Sequence, residues 1–338
     1  MVAIITGASS GIGRATALEF ARQGISVVVA ARQEQALEEL AQKCTRLGAE
    51  ALAVPTDVSN EDEVNALANR ALAHFGHIDI WVNNAAVSLF GKFEEIPTND
   101  IRQLMEVNVL GYIYGARTPL RHFRDRNVGL LINVSSMTAL VGQPFSVPYS
   151  ISKFAVRGLS LSLSQEVADK PNIHVSCVLP AVIDTPIFQH AANYMGKNVK
   201  APEPVIPATD VAKEIFKLTQ SPKEEIAVGN MARMLRAQRL VMPAGMFDKR
   251  IQKMIWQNHF NNENTPSRQG NLCQPDGHHN RIDGGWQAQS KNKSNSQQKK
   301  QGSTFNVVSG FATLFLVGGI LGAAWINNKI NSTVPATI

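Results

Sequence analysis

Residues 2–13 read VAIITGASSGIG. An apolar, β-branched run ends in a turn built from three glycines and two serines, and an amphipathic helical stretch over 11–23 follows at once. A strand, a glycine-rich turn and a helix in that order lift the match well above a chance spacing. Gly7, Gly11 and Gly13 lack a Cβ, so the backbone can turn tightly and approach an anion as large as a pyrophosphate. The helix N-terminus offers that anion free N–H groups and the positive end of the helix dipole. Gly7, Ser9, Ser10, Gly11, Ile12 and Gly13 are therefore candidate cofactor-binding residues.

Outward from this turn the same alternation repeats. Short apolar runs at 26–30, 51–54, 78–82, 129–134 and 174–179 are separated by helical patterns over 33–47, 60–75, 99–124 and 149–169. Continuous apolar strands interleaved with helices predict an α/β fold, a doubly wound parallel sheet of Rossmann type forming one domain over 1–230. Ligands of such sheets bind outside the carboxyl ends of the strands. The second strand ends at Ala31-Arg32. A carboxylate there would hold a ribose 2′-hydroxyl and repel a 2′-phosphate, whereas Arg32 suits the phosphate, so the reading is NADP(H). Asp57 and Val58 follow the third strand and Asn83 and Ala85 the fourth, where the adenosine half would lie.

Tyr149 and Lys153 are four apart on one helix face and can meet at one ligand. A free tyrosine, with a pKa of about 10, is a poor acid near neutral pH, and a neighbouring ammonium would lower that value. Ser136, thirteen positions upstream of Tyr149, closes the strand at 129–136 and can hydrogen-bond a substrate oxygen.

Motif for motif and in order, residues 3–220 resemble the short-chain dehydrogenase/reductase family. TGASSGIG at 6–13 is similar to its cofactor loop, NNAA at 83–86 to its NNAG, and PAVIDTP at 180–186 to its PGxxxTP stretch. Ala86 and Ala181 stand where the family has glycine. The resemblance implies catalytic roles for Asn108, Ser136, Tyr149 and Lys153. It also implies that Pro180, Ile183 and Thr185 hold the nicotinamide, with Tyr149 and Lys153 touching cofactor as well. The implied reaction interconverts a carbonyl and an alcohol. Tyr149 is general acid/base, Ser136 orients the oxygen, Lys153 binds the ribose and Asn108 helps hold a water. A homodimer or homotetramer is compatible with it. One alternative, a 3-oxoacyl-thioester reductase, uses the same residues; another, of a different class, is a catalytically silent NADP(H)-binding sensor or scaffold, against which the intact set of Asn108, Ser136, Tyr149 and Lys153 argues. Residues 187–204 fall where the family carries a substrate lid, so that Phe188, His190, Tyr194 and Met195 either line a pocket or pack the lid down.

Beyond 230 the character changes. Residues 231–260 predict a basic amphipathic extension of two helices broken at 243–245, suited to a membrane surface, and 261–303 a polar flexible linker. Residues 305–326 run 22 positions without a charge. As a helix they would extend about 33 Å, enough to cross a hydrocarbon core. The reading is a transmembrane helix over 304–327 with a short tail, 328–338. Lys291, Lys293, Lys299 and Lys300 precede it and Lys329 follows, so the catalytic domain is expected on the cytoplasmic side of a single-pass anchor. The net charge of +6 comes without aromatic-interleaved basic motifs, which argues against nucleic acid. Three scattered cysteines exclude a disulfide framework, and no metal-ligand spacing occurs.

Overall fold

The computed structural model describes residues 1–275 and 277–288. Seven strands form one sheet: β1 (Val2–Thr6), β2 (Ser26–Ala31), β3 (Ala51–Pro55), β4 (Ile80–Asn83), β5 (Gly129–Val134), β6 (Ile173–Pro180) and β7 (Glu225–Val228). Their order is β7-β6-β5-β4-β1-β2-β3, and every pairing is parallel. The chain starts mid-sheet, adds β2 and β3 on one side, then returns to lay β4 on the other. Connections leave β1 and β4 in opposite directions and open a crevice at their carboxyl ends. Strand β7 went unread in the sequence because it is only four residues long, half-buried and at the edge.

Neighbouring strand residues serve opposite faces. Ile5 and Val29 join Phe20, Leu37 and Ile215 in one core cluster; Ile4 and Val28 join Leu67, Leu104 and Phe123 in the other. The covering helices are α1 (Gly11–Arg22), α2 (Glu34–Arg46), α3 (Glu61–Phe75), α4 (Thr98–Met105), α5 (Gly111–Arg126), α6 (Val147–Glu166) and α7 (Ala208–Gln220). The single helix expected over 99–124 is divided by a π-helical turn, Glu106–Leu110, which carries Asn108.

Two expectations for the C-terminal part are corrected. Residues 231–260 do form two helices, α8 (Asn230–Val241) and α9 (Ala244–His259). Their apolar side, however, faces the domain: Leu235, Phe247, Ile251 and Ile255 are buried with Phe90, Ala191, Val199 and Phe260. The flexible linker expected from 261 does not begin there. Phe260–Asn264 pairs antiparallel with Lys197–Val199, and the chain then runs back across the crevice as a strap to residue 288. Its low apolar content misleads because main-chain hydrogen bonds order it. Asn193 and Arg268 exchange both N–H···O bonds at 2.8 and 3.0 Å, and Asn271 N–H donates to the His190 carbonyl at 2.9 Å. A single fully buried leucine, Leu272, pins it to the core. Among the described residues no helix is long and apolar enough to cross a membrane. The span expected over 304–327 and the tail 328–338 lie outside the described residues.

Candidate active site

The turn after β1 is shaped as its glycines require. Gly7 has φ +64°, and a Cβ on it would lie 2.6 Å from Ala85 Cα; Gly11 has φ +55°. Asn84 braces this turn from the end of β4, donating to the carbonyls of Thr6 and Gly7 at 3.0 and 3.2 Å. A Cβ on Gly13 would strike the Gly7 carbonyl oxygen. Gly13 thus lets α1 pack against the turn, and it does not line the crevice. Asn83 also sits behind the lining: it accepts from Trp81 Nε1 at 2.8 Å and donates to Asn133 at 3.0 Å inside the sheet.

One crevice gathers most of the other candidates. Gly7, Ser9, Ser10, Gly11, Ile12, Arg32, Asp57, Val58 and Ala85 line one part, and Ser136, Tyr149, Lys153, Pro180, Ile183 and Thr185 the part next to it. Neither Ala86 nor Ala181 takes a positive φ, so alanine is accommodated at both positions. Asn108 is fully buried outside the lining. Its side chain grips the backbone of Val87 through N–H···Oδ1 and Nδ2–H···O bonds of 2.8 and 2.9 Å, and donates to Ser152 at 3.2 Å. The π-helical turn exposes this side chain to both neighbours, so Asn108 joins β4's loop to α6.

Ser136 Oγ accepts from the Thr138 N–H at 3.2 Å, which leaves its own proton to be donated. Tyr149 is half-buried and lines the crevice. Burial pushes its pKa up to about 12, and a hydrogen bond with Ser136 opposes the rise. Lys153 is buried, and desolvation brings its pKa down to about 7. Its Nζ donates to the Val134 carbonyl at 3.0 Å and to the Tyr112 hydroxyl at 3.4 Å, and lies over the Tyr149 ring at 5.6 Å. The expected lowering of the Tyr149 pKa by the ammonium is therefore not seen. The lysine faces the strand end and Tyr112, and desolvation dominates both groups.

Past Tyr149 the crevice turns apolar, lined by Phe90, Val141, Phe188, Met231, Leu235, Ile251, Met254 and Ile255. Of the lid candidates, Phe188 and His190 line it; Tyr194 instead hydrogen-bonds Asp100, and Met195 packs into the cluster beneath α9. Sequence reading missed the polar exceptions here, Gln143 and His259, whose ring nitrogen lies 3.4 Å from the Gln143 amide. Burial holds the His259 pKa down at about 4. It also missed the strap residues Asn271, Pro275 and Asn280, which line the other part of the crevice. No sequence signal marks them, because they reach the site from some 250 residues away.

The arrangement fits a dinucleotide: a cradle that a Cβ would fill, a helix N-terminus, and a buried lysine beside a tyrosine at the far end. Comparisons with known proteins agree. The family profile described as short chain dehydrogenase matches residues 1–195. An uncharacterized oxidoreductase, YxnA, of Bacillus subtilis is 36% identical over 258 residues, covering 75% of this chain and 72% of that protein. The 3-ketodihydrosphingosine reductase of Mus musculus is 35% identical over 189 residues, 54% of this chain and 56% of the mouse protein. Among solved structures, an alcohol dehydrogenase from the archaeon Thermococcus sibiricus complexed with 5-hydroxy-NADP superposes with a TM-score of 0.59. It is 27% identical, over 67% of this chain and 95% of that one. The chain belongs to the short-chain dehydrogenase/reductase family and is an oxidoreductase.

Proposed function

We propose that the protein is an NADP(H)-dependent oxidoreductase interconverting a carbonyl and an alcohol on a lipophilic substrate. One observation carries the reading: Ser136, Tyr149 and Lys153 line the junction between the glycine-turn crevice and an apolar chamber walled by Phe90, Phe188, Leu235, Ile251 and Ile255. The solved relative complexed with 5-hydroxy-NADP and the mouse relative named 3-ketodihydrosphingosine reductase are in keeping with that reading.

Gly7, Ser9 to Ile12 and Arg32 would hold the phosphates, and Pro180, Ile183 and Thr185 the nicotinamide end; the cofactor, when bound, supplies or accepts hydride. In the reducing direction Tyr149 gives its proton to the developing alkoxide. Its raised pKa keeps that proton in place until the oxygen becomes basic enough to take it. Ser136, its oxygen fixed by Thr138 N–H, donates to the same oxygen. Lys153 would hold the ribose and, when protonated, stabilise the phenolate left behind. Asn108 keeps α6 in register with the loop after β4, and so aims Tyr149. The chamber excludes water and favours an apolar substrate body.

The uncharged run 305–326 supports a single-pass anchor, and the lysines that precede it support a catalytic domain on the cytoplasmic side, which would keep the enzyme where lipophilic substrates concentrate. The test of the reading is NADPH oxidation by the full-length protein against ketones of increasing chain length, with a 3-oxoacyl thioester alongside. Turnover is expected to rise with apolar length and to fall about 10²- to 10⁴-fold in Tyr149→Phe, with cofactor affinity nearly unchanged. Absence of turnover across the panel would favour a silent binder, and turnover confined to the thioester would redirect the substrate class.

A further inference from the structure

The strap holds the very donors that phosphate groups need. Arg32 donates through Nη2 to the Asn271 carbonyl at 2.7 Å and through Nη1 to those of Cys273 and Leu272 at 3.1 and 3.4 Å. The N–H of Gly11, at the start of α1, donates to the Arg281 carbonyl at 3.0 Å. Between these two points Asn271, Pro275 and Asn280 line the crevice. Four backbone carbonyls from one segment thus occupy a guanidinium and a helix N-terminal N–H, at the two places where the glycine turn and β2 would receive a dinucleotide. Further along, the segment is fixed more firmly. Both carboxylate oxygens of Asp184 accept from the strap: the N–H groups of Gly284, Trp286 and Gln287 donate to them at 2.9, 3.0 and 3.1 Å. Trp286 Nε1 donates to the Thr185 carbonyl at 3.1 Å.

We propose that residues 271–281 are a built-in competitor for NADP(H): their carbonyls leave Arg32 and Gly11 when the cofactor's phosphates arrive, while 284–287 stay on Asp184 as the hinge. This rests on the reading of Arg32 and the glycine turn as phosphate sites. The exchange favours the ligand because a phosphate bears a full charge, and charge-assisted hydrogen bonds outdo those to a neutral carbonyl. It also sets selectivity. A cofactor without the 2′-phosphate has nothing to offer Arg32, so the strap stays down on it.

Deuterium exchange on the unaltered full-length protein, with adenosine 2′,5′-bisphosphate or adenosine 5′-monophosphate as probe, tests this without a variant. The bisphosphate is expected to increase exchange across 271–281 and leave 284–287 protected, whereas the monophosphate leaves exchange at 271–273 unchanged. Calorimetry adds a second arm. Leu272→Ala removes the buried side chain that pins the strap, so the competent fraction rises and the bisphosphate should bind about tenfold more tightly. Greater protection of 271–281 by the bisphosphate, or unchanged or weaker binding to Leu272→Ala, would show a lid or a fixed wall and overturn the competition. Undiminished bisphosphate binding by Arg32→Ala would instead strike the phosphate reading beneath it, and the proposal with it.

Discussion

The side-chain nitrogen of Lys153 donates to the main-chain carbonyl of Val134 at 3.0 Å, at the end of β5 and buried. Burial holds the lysine at about 7, against 10.5 for the unburied group. Between those values the unfolded chain carries a proton that the folded one lacks, so stability rises with pH, by at most about 1.4 kcal/mol per unit. Cys44 and Cys177, raised by burial to about 11 and 12 from 9.0, act in the opposite sense above pH 9. Urea unfolding of the ligand-free protein from pH 7 to 9 should therefore show a rising stability that flattens in Lys153→Met. An identical slope in the variant would mean that Lys153 is charged in the folded state.

Arg32 is expected to separate the two nicotinamide cofactors. Arg32→Ala should weaken NADPH binding by about 1.5–3 kcal/mol, as for a lost hydrogen bond to a charged group, and leave NADH nearly unaffected. Fluorescence titration of both cofactors checks this. Equal losses for the two would mean that Arg32 does not read the 2′-phosphate.

The apolar chamber should be read out by chain length. Ile255→Ala and Phe188→Ala remove chamber walls, so KM for a long-chain ketone should rise about tenfold or more while a short ketone is little affected, since each buried aliphatic side chain contributes about 1.5–3 kcal/mol. Kinetics on a matched pair of ketones measures the difference. A uniform loss on both would indicate damage to the fold.

Acidification should destabilise the fold through a histidine of the same chamber. His259 is held neutral to about 4, while in the unfolded chain it takes a proton near 6.5. The unfolded state thus binds the extra proton between those values, and stability falls as pH drops through them. His259→Gln should lessen that loss, as thermal melts at pH 7 and 5 would record.

Residues 305–326 should make the full-length protein pellet with membranes and resist carbonate, because insertion is hydrophobic and salt screens only the lysines. Ending the chain before Ser303 should release it. Freely soluble full-length protein would reject the anchor.

Most of the fold and of the reacting groups was legible because each depends on local pattern: the β1 turn, the strand runs, and Tyr149 and Lys153 one helical turn apart. Asn83 and Gly13 show the limit. Their motif positions are right, yet whether a side chain lines a crevice or braces its wall depends on partners such as Asn133 and Gly7 that no spacing reveals. The strap was illegible for a related reason. Its order rests on main-chain bonds to Arg32, Asp184 and Asn193, and composition records side chains only. The pKa of Tyr149 was misjudged because sequence proximity to Lys153 says nothing of the desolvation that both share.

The strap has one consequence for geometry at the membrane. Because Gly284, Trp286 and Gln287 still hold the strap to Asp184, no more than the fifteen residues 289–303 separate the described part of the chain from the proposed span. Fifteen residues, even fully drawn out, reach no more than about 50 Å. The stretch that leads to the proposed span thus starts next to Asp184 and Thr185, the latter a residue of the crevice lining. If 304–327 spans a bilayer, a connection that short and so placed would hold the opening of the crevice towards it, and substrate would pass from lipid to chamber without crossing much water.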